Sequence, residues 1–182
     1  AASDVYKRQL PEKYIQMAKK DSTQIDVLLA GSRKSKEIFQ QVFWYDGLIA
    51  ETGTPQCDIL VRRDQHVAER VLSYFNIPQG SHIVMYAPTF RKEHDTSVYD
   101  LNPAAVLKAL HERFGGEWYL LIRLHPHLKN YLTAFTYSEH VKRATDYDDV
   151  QELLCASDFL ISDYSAIMFD FSVAGKPCML YT

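Results

Sequence analysis

The chain has 182 residues, of which 47% are hydrophobic and 24% charged, and its formal net charge is −3 at pH 7. That length allows a real hydrophobic core, while the slight negative charge excludes a general affinity for nucleic acid or anionic lipid. Three scattered cysteines exclude a disulfide framework and a zinc site, and Cys155 and Cys178, which lie in apolar runs, are expected to be buried thiols. No apolar run reaches the roughly 18 to 20 residues that span a bilayer, so the sequence predicts a cytoplasmic globular protein.

Predicted helices and strands alternate along the first half of the chain. Residues 1–9 match no element, and we expect a non-native or disordered leader there. Apolar periodicity predicts helices over 11–20, 33–43 and 64–75, and strands over 25–29 and 47–52. A turn is expected at Gly53 to Pro55, because glycine and proline commonly end such elements.

The same alternation continues through the second half. Strands are predicted over 82–86, 118–122, 159–161 and 178–181, with a weak strand near Val141. Helices are predicted over 103–114, up to about 135, over 150–156, and from Ile167 to Ala174. The alternation predicts an α/β fold, a doubly wound and mostly parallel Rossmann-like sheet. We expect one nucleotide-diphosphate-binding lobe over 10–182, truncated at both ends.

Three polar turns follow predicted strands, beginning at Ala87, Arg123 and Ser162. Parallel strands place their carboxyl ends at one edge of the sheet, where such folds bind ligands. The turns contain groups suited to a diphosphate, namely Thr89, Arg91, Arg123, His125 and Ser165. Ser165 is expected to cap the following helix, whose free N–H groups would bind an anion.

Each of these residues also has a plainer interpretation. His125 could protonate a leaving group or bond its own turn, and Arg123 could bind phosphate or pair with an acidic neighbour. Arg91 could bind phosphate or be a solvated charge. Asp163 and Asp170 could bind ligand hydroxyls, or cap the helix and pair with Lys176. Neither a G-x-G-x-x-G sequence nor a P-loop occurs, so NAD- and ATP-binding folds of those types are not supported.

Three of these segments resemble a known family. They are YAPTFR at 86–91, RLHP at 123–126 and SDFLISDYSAIMFDF at 157–171, and TGTPQCDIL at 52–60 adds a fourth likeness. Their order and spacing resemble the CDP-glycerol glycerophosphotransferases of wall teichoic acid synthesis. The resemblance covers roughly residues 25–181.

The resemblance implies the carboxyl-terminal lobe of a GT-B-type transferase that transfers glycerol phosphate from CDP-glycerol and releases CMP, without a metal or cofactor. It implies His125 as the catalytic residue, helping CMP to depart. Implied substrate-binding residues are Pro88, Thr89, Arg91, Arg123, Ser165, Ala166 and Asp170. The partners implied are the CDP-glycerol donor and a polyol-phosphate or lipid-linked acceptor, with no nucleic acid. The protein would act in the cytoplasm at the inner face of the membrane, touching it only through segments outside this chain.

The chain departs from the family pattern at two positions and lacks one motif. Ala166 stands where the family has a second serine, and Gln56 where it has an arginine. The His-Gly-x-x-x-Lys motif, whose histidine is the family's acceptor base, is absent. We therefore expect this chain to bind donor without sustaining polymerisation. Alternatives are a GT-B glycosyltransferase using a nucleotide sugar and a non-catalytic nucleotide-binding lobe. A response-regulator-like domain is weaker, because no acidic cluster ends the first strand.

Overall fold

The computed structural model describes residues 10–89, 101–124 and 135–181. The chain divides into two compact units, Ala1–Asp58 and Ile59–Thr182. Each unit contains a parallel sheet, the first of two strands and the second of five. The sequence predicted a parallel sheet but not the division of its strands into two sheets, because alternation of strands and helices does not reveal which strands pair.

The first unit is a small β-α-β arrangement preceded by a helix. Its elements are α1 (Glu12–Ser22), β1 (Val27–Ala30), α2 (Arg33–Val42) and β2 (Leu48–Glu51). Ser32 caps α2, since its side chain accepts a hydrogen bond from the Ser35 amide at 3.1 Å. The buried residues of this unit form a small cluster of Ala30, Tyr45 and Ile49, with Leu28 and Phe39 packed against it.

The second unit contains the larger sheet. Its elements are α3 (Asp58–Arg62, which begins at the unit boundary), α4 (Gln65–Tyr74), β3 (His82–Ala87), α5 (Pro103–Phe114), β4 (Trp118–Ile122), β5 (Val141–Arg143), α6 (Val150–Ala156), β6 (Phe159–Ser162), α7 (Ile167–Val173) and β7 (Cys178–Leu180). The strand order is β5-β4-β3-β6-β7, and every neighbouring pair is parallel. Gly115, with φ of 71°, ends α5 in the left-handed conformation that glycine tolerates.

The central strands β3 and β4 are the core of this unit. All residues of β4 and all but the first of β3 are buried. Parallel strands covered on both faces read as continuous apolar runs, and the sequences HIVMYA and WYLLI have this character. The apolar runs therefore correctly identified the strands that hold the candidate site.

Two local expectations failed. The sequence predicted a turn at Gly53 to Pro55 and no further element before the helix over 64–75, whereas Pro55–Cys57 form a short 3-10 helix that leads into α3. Cys178, expected to be buried with Cys155, is exposed on the edge strand β7. Within the described residues, no helix combines the length and the apolar character required to span a membrane.

Candidate functional site

Strands β3, β4 and β6 end level with one another at one edge of the five-stranded sheet. Tyr86 pairs with Ile122 of β4, and the next residue, Ala87, pairs with Ser162 of β6. The polar turns that begin after these strands therefore leave the sheet at the same edge. We call this edge, formed by residues 88–89, 123–124 and 163–166, the rim. This arrangement is the one predicted from the alternation of strands and helices.

Two of the rim turns are joined directly by Thr89 and Asp163. The Thr89 amide donates to Asp163 Oδ1 at 2.8 Å, and the Thr89 hydroxyl donates to Oδ2 at 2.6 Å. Asp163 is fully buried, so its carboxylate depends on such donors. Below it, the Ser162 hydroxyl donates to the Ala87 carbonyl at 2.7 Å. Asp163 is thus a structural acceptor between the turns rather than a free ligand group.

Ser165 lies beside this contact at the start of α7. Its amide donates to the Asp163 carbonyl at 2.6 Å, and its hydroxyl accepts from the Ile167 amide at a long 3.4 Å. Ala166 occupies the cap position and supplies no side-chain hydrogen bond. The predicted serine cap is therefore only a weak contact, because the residue at the cap position is an alanine.

Arg123 is half-buried at the end of β4 and is held by a turn of backbone. Its Nη1 donates to the carbonyls of Ala144, at 3.1 Å, and Tyr147, at 2.6 Å. Burial lowers the pKa of Arg123. The nearby carboxylates of Asp149 and Asp148 act in the opposite direction but only partly offset this effect. Among the described residues Arg123 makes no ion pair, so the alternative of an acidic partner is not supported, and neutral carbonyls accept from its Nη1.

The turn whose carbonyls accept from Arg123 is held in place by Glu152, a residue of α6. The Tyr147 hydroxyl donates to Glu152 Oε2 at 2.5 Å, and Arg70 of α4 donates to both carboxylate oxygens, at 3.4 and 2.5 Å. These hydrogen bonds, first that of Arg70, lower the pKa of Glu152. Burial, aided by Glu152, raises the pKa of Tyr147 to about 12. A cavity of about 330 Å³ lies beside this group, between Tyr74 and the acidic turn.

Asp170 and Lys176 each have a partner in the second unit. Asp170, in the first turn of α7, accepts a hydrogen bond from the Gln151 side chain at 2.8 Å. Lys176 donates to the carbonyls of Cys155 and Ser157, at 3.0 and 2.6 Å, at the end of α6. Of the two interpretations offered for the aspartates, pairing with Lys176 is therefore not the one that these contacts favour.

The chain matches a known protein family over nearly its whole length. The family model described as CDP-glycerol:poly(glycerophosphate) glycerophosphotransferase matches residues 2–182. The chain belongs to this glycerophosphotransferase family. The resemblance found in the sequence motifs is thereby confirmed.

Several proteins with assigned names are similar in sequence to this chain. A teichoic acid poly(glycerol phosphate) polymerase of Staphylococcus epidermidis is 34% identical over 170 residues, which is 91% of this chain and 24% of the relative. A teichoic acid glycerol-phosphate primase of Bacillus subtilis is 29% identical over 180 residues, 98% of this chain and 45% of the relative. The chain thus spans less than half the length of these curated relatives.

The solved structure of the wall teichoic acid polymerase TagF matches with a TM-score of 0.71 at 31% identity, covering 96% of this chain and 44% of that one. A TagF variant soaked with CDPG matches with a TM-score of 0.70 at 32% identity, covering 95% and 43%. This likeness confirms the predicted α/β class, a parallel sheet with flanking helices as in a lobe of a GT-B-type fold.

Apart from Asp170, whose partner is given above, the predicted site residues of this chain fall into three groups. Thr89 and Ser165 lie at the rim, on either side of Asp163, and Arg123 begins the neighbouring turn. Pro88 is buried directly after β3, and Ala166 is exposed at the start of α7. Arg91 and His125 lie outside the described residues. No group of three or more histidine, cysteine, aspartate or glutamate side chains that could hold a metal is found in the described ranges.

The group of Arg70, Tyr147 and Glu152 has no signal in the sequence. Asp149 caps α6 by accepting from the Gln151 amide at 2.8 Å, and Glu152 lies in the first turn of that helix. Arg70, however, is 82 positions from Glu152. No periodicity or motif connects the two residues, so only the folded structure could reveal this contact.

Proposed function

We propose that this chain is the donor-binding part of an enzyme that transfers glycerol phosphate from CDP-glycerol to a teichoic acid or related polyol-phosphate acceptor. The observation that carries the proposal is the rim, where the turns after β3, β4 and β6 begin level and Thr89 contacts Asp163 directly. Family membership and the names of the relatives support the donor and the acceptor class.

The proposed reaction is a displacement at the phosphorus that bears glycerol. An acceptor hydroxyl oxygen forms a bond to this phosphorus, and the bond from phosphorus to the oxygen bridging the two phosphates breaks. CMP departs with the electron pair of that bond. His125, two residues beyond Arg123, would donate a proton to the departing phosphate, which is the task of a general acid. The base that takes the proton of the acceptor hydroxyl is not assigned to any residue of this chain.

The rim residues would bind the donor diphosphate by charge and hydrogen bonding. Arg123 would supply a cation whose planar N–H groups suit phosphate oxygens, and Arg91 a second one. Thr89 and the start of α7 at Ser165 would hold phosphate or ribose. Pro88 and Ala166 would shape the pocket, and Asp170 would complete it. Preorganised donors of this kind stabilise the charge that develops as CMP leaves.

We also propose that the protein acts in the cytoplasm at the inner face of the cell membrane, as the family resemblance of its motifs implies. The lobe over 10–182 would receive the nucleotide there. Contact with the membrane would be made by parts of the protein outside this chain.

Calorimetric titration of the 182-residue chain tests donor binding. CDP-glycerol, CDP and a UDP-sugar are compared on the parent chain, Arg123→Ala and Ser165→Ala. We expect CDP-glycerol and CDP to bind and both substitutions to weaken them. Ser172→Ala is the matched control, since Ser172 lies in the same helix and its hydroxyl donates to the Phe169 carbonyl at 2.6 Å. Preference for the UDP-sugar would favour a sugar transferase and contradict the proposal.

Turnover tests the proposed acid. In a full-length enzyme of this sequence, His125→Ala should reduce CMP release by about 10²-fold or more, as general acids typically contribute that amount. Donor affinity should change far less. Near-normal turnover would reject His125 as the acid, and donor binding without turnover in the parent enzyme would support a non-catalytic lobe.

A further inference from the structure

We infer that the turn from Ala144 to Tyr147 is a receptacle that fixes the direction of the Arg123 guanidinium, and that Glu152 is a positioning residue for donor binding through this turn. The inference rests on the proposed function of Arg123. It extends that function to a group on α4 and α6 that neither the sequence motifs nor the family resemblance includes.

The first step concerns the geometry of Arg123. A guanidinium carries five N–H donors in one rigid plane, two of them on Nη1. The carbonyls of Ala144 and Tyr147 accept from Nη1, at 3.1 and 2.6 Å. Two acceptors on one nitrogen determine the orientation of the whole plane. The three donors on Nε and Nη2 are consequently aimed by the backbone turn.

The second step concerns the charge of Arg123. Both acceptors are neutral carbonyls, and no described carboxylate forms an ion pair with this guanidinium. Burial lowers the pKa of Arg123 while Asp149 and Asp148 raise it. The receptacle thus orients the cation without neutralising it by direct contact. An oriented cation of this kind favours binding of an anion such as a diphosphate.

The third step concerns what holds the receptacle. Glu152 accepts from the Tyr147 hydroxyl at 2.5 Å and from Arg70 through both oxygens. The Tyr147 ring also packs edge-on against Tyr74, with ring centroids 4.9 Å apart. On the other side, Thr145 accepts from the amide of Leu124, the residue after Arg123, at 3.1 Å. Glu152 therefore fixes Tyr147, and the Tyr147 carbonyl fixes Arg123.

Two variants separate positioning from simple stability. Glu152→Gln retains the shape of the side chain but removes the charge that holds Arg70. Tyr147→Phe removes one hydroxyl and keeps both the ring and the carbonyl that Arg123 uses. The matched control is Asp146→Asn, which removes the exposed ion pair with Arg143, at 2.6 Å, from the same turn.

The ligand-free test is nitrogen-15 NMR of the arginine side chains, assigned with Arg123→Lys. Two acceptors on Nη1 should slow rotation about the Cζ–Nη bond, giving Arg123 separate Nη resonances in the parent chain and in Asp146→Asn. We expect these resonances to broaden or merge in Glu152→Gln and Tyr147→Phe. Unchanged, separate resonances in both variants would overturn the inference, whatever nucleotide the protein binds.

The ligand test is a double-mutant cycle with CDP-glycerol, measured by calorimetry. Glu152→Gln should weaken binding by about threefold to tenfold, within the range found for coupled residues, and cause no further loss in the Arg123→Ala background. An equal loss in both backgrounds would show that Glu152 acts independently of Arg123, and would overturn the inference while leaving the proposed function intact. Undiminished affinity of Arg123→Ala would instead reject Arg123 as a diphosphate ligand, and the positioning role with it.

Discussion

The two parallel sheets of this protein differ in how completely they are covered. In the five-stranded sheet, β4 is buried along its whole length. In the two-stranded sheet, Ala30 and Ile49 are buried, while Val27, Leu29 and Leu48 are among the exposed large hydrophobic residues. Parallel sheets are normally covered on both faces, and among the described strands β3 and β4 of the larger sheet meet this condition best. All the described candidate site residues follow its strands, as precise ligand positioning requires.

The largest expected effect contrasts one leucine from each sheet. Leu120 in β4 is 0% exposed, whereas Leu48 in β2 is 64% exposed. Leu120→Ala should lower the free energy of unfolding by about 2 to 5 kcal/mol, because it leaves a cavity in a close-packed core. Leu48→Ala should change it by less than about 0.5 kcal/mol. Urea unfolding of the chain measures both, and similar losses at the two positions would contradict the contrast in burial.

A smaller effect contrasts two threonine hydroxyls. Thr89 donates to the buried Asp163 carboxylate, whereas Thr23, after α1, donates to the exposed Lys20 carbonyl at 2.7 Å. Thr89→Val should lower the free energy of unfolding by about 1 to 3 kcal/mol, since a buried charge loses one of its donors. Thr23→Val should have little effect, because water replaces the lost bond. If Thr89→Val proved neutral in urea unfolding, Asp163 would not depend on this hydroxyl.

The smallest effect concerns acid stability. The hydrogen bonds from Arg70 and Tyr147 hold the pKa of Glu152 below its ordinary value. A lowered pKa means that Glu152 stabilises the fold at neutral pH, and that this contribution is lost as the pH falls below about 4.3 towards the lower folded value. Glu152→Gln should therefore cost on the order of 1 kcal/mol or less at pH 7 and almost nothing in acid.

Glu37 in the smaller unit is the control for Glu152, because it forms an exposed ion pair with Arg33 at 3.6 Å. Glu37→Gln should change the free energy of unfolding by no more than about 0.5 kcal/mol at pH 7. Urea unfolding of each variant and the parent chain at pH 7 and in acid makes the comparison. A cost for Glu152→Gln that stays constant across this range would show that the carboxylate charge is not what stabilises the turn.

The sequence predicted the elements and the rim because both depend on local patterns. The predicted helices 103–114 and 150–156 match Pro103–Phe114 and Val150–Ala156, and the apolar runs of β3, β4 and β6 were correctly assigned to strands. The rim then follows from parallel topology alone. The sequence did not predict α3. Glycine and proline at 53 and 55 indicate a turn, and the five-residue helix Asp58–Arg62 that follows is too short to show a clear apolar period.

Side-chain partners could not be predicted in the same way. Arg123 has both phosphate-binding and ion-pairing chemistry, and only the folded chain shows that it donates to two backbone carbonyls. Asp163 looked equally suited to a ligand hydroxyl, yet it is buried against Thr89. Such choices depend on which long-range neighbour arrives within about 3 Å, a distance that one-dimensional periodicity does not encode.

The contact between Thr89 and Asp163 has a consequence for how this protein can diverge. A buried carboxylate without its hydroxyl donor is costly, and a hydroxyl facing an apolar replacement for the carboxylate would lose its acceptor. The two positions, 74 residues apart, are therefore expected to covary, with exchanges tolerated mainly in pairs. Natural variation at either position alone should be rare, even among homologues that have changed their donor.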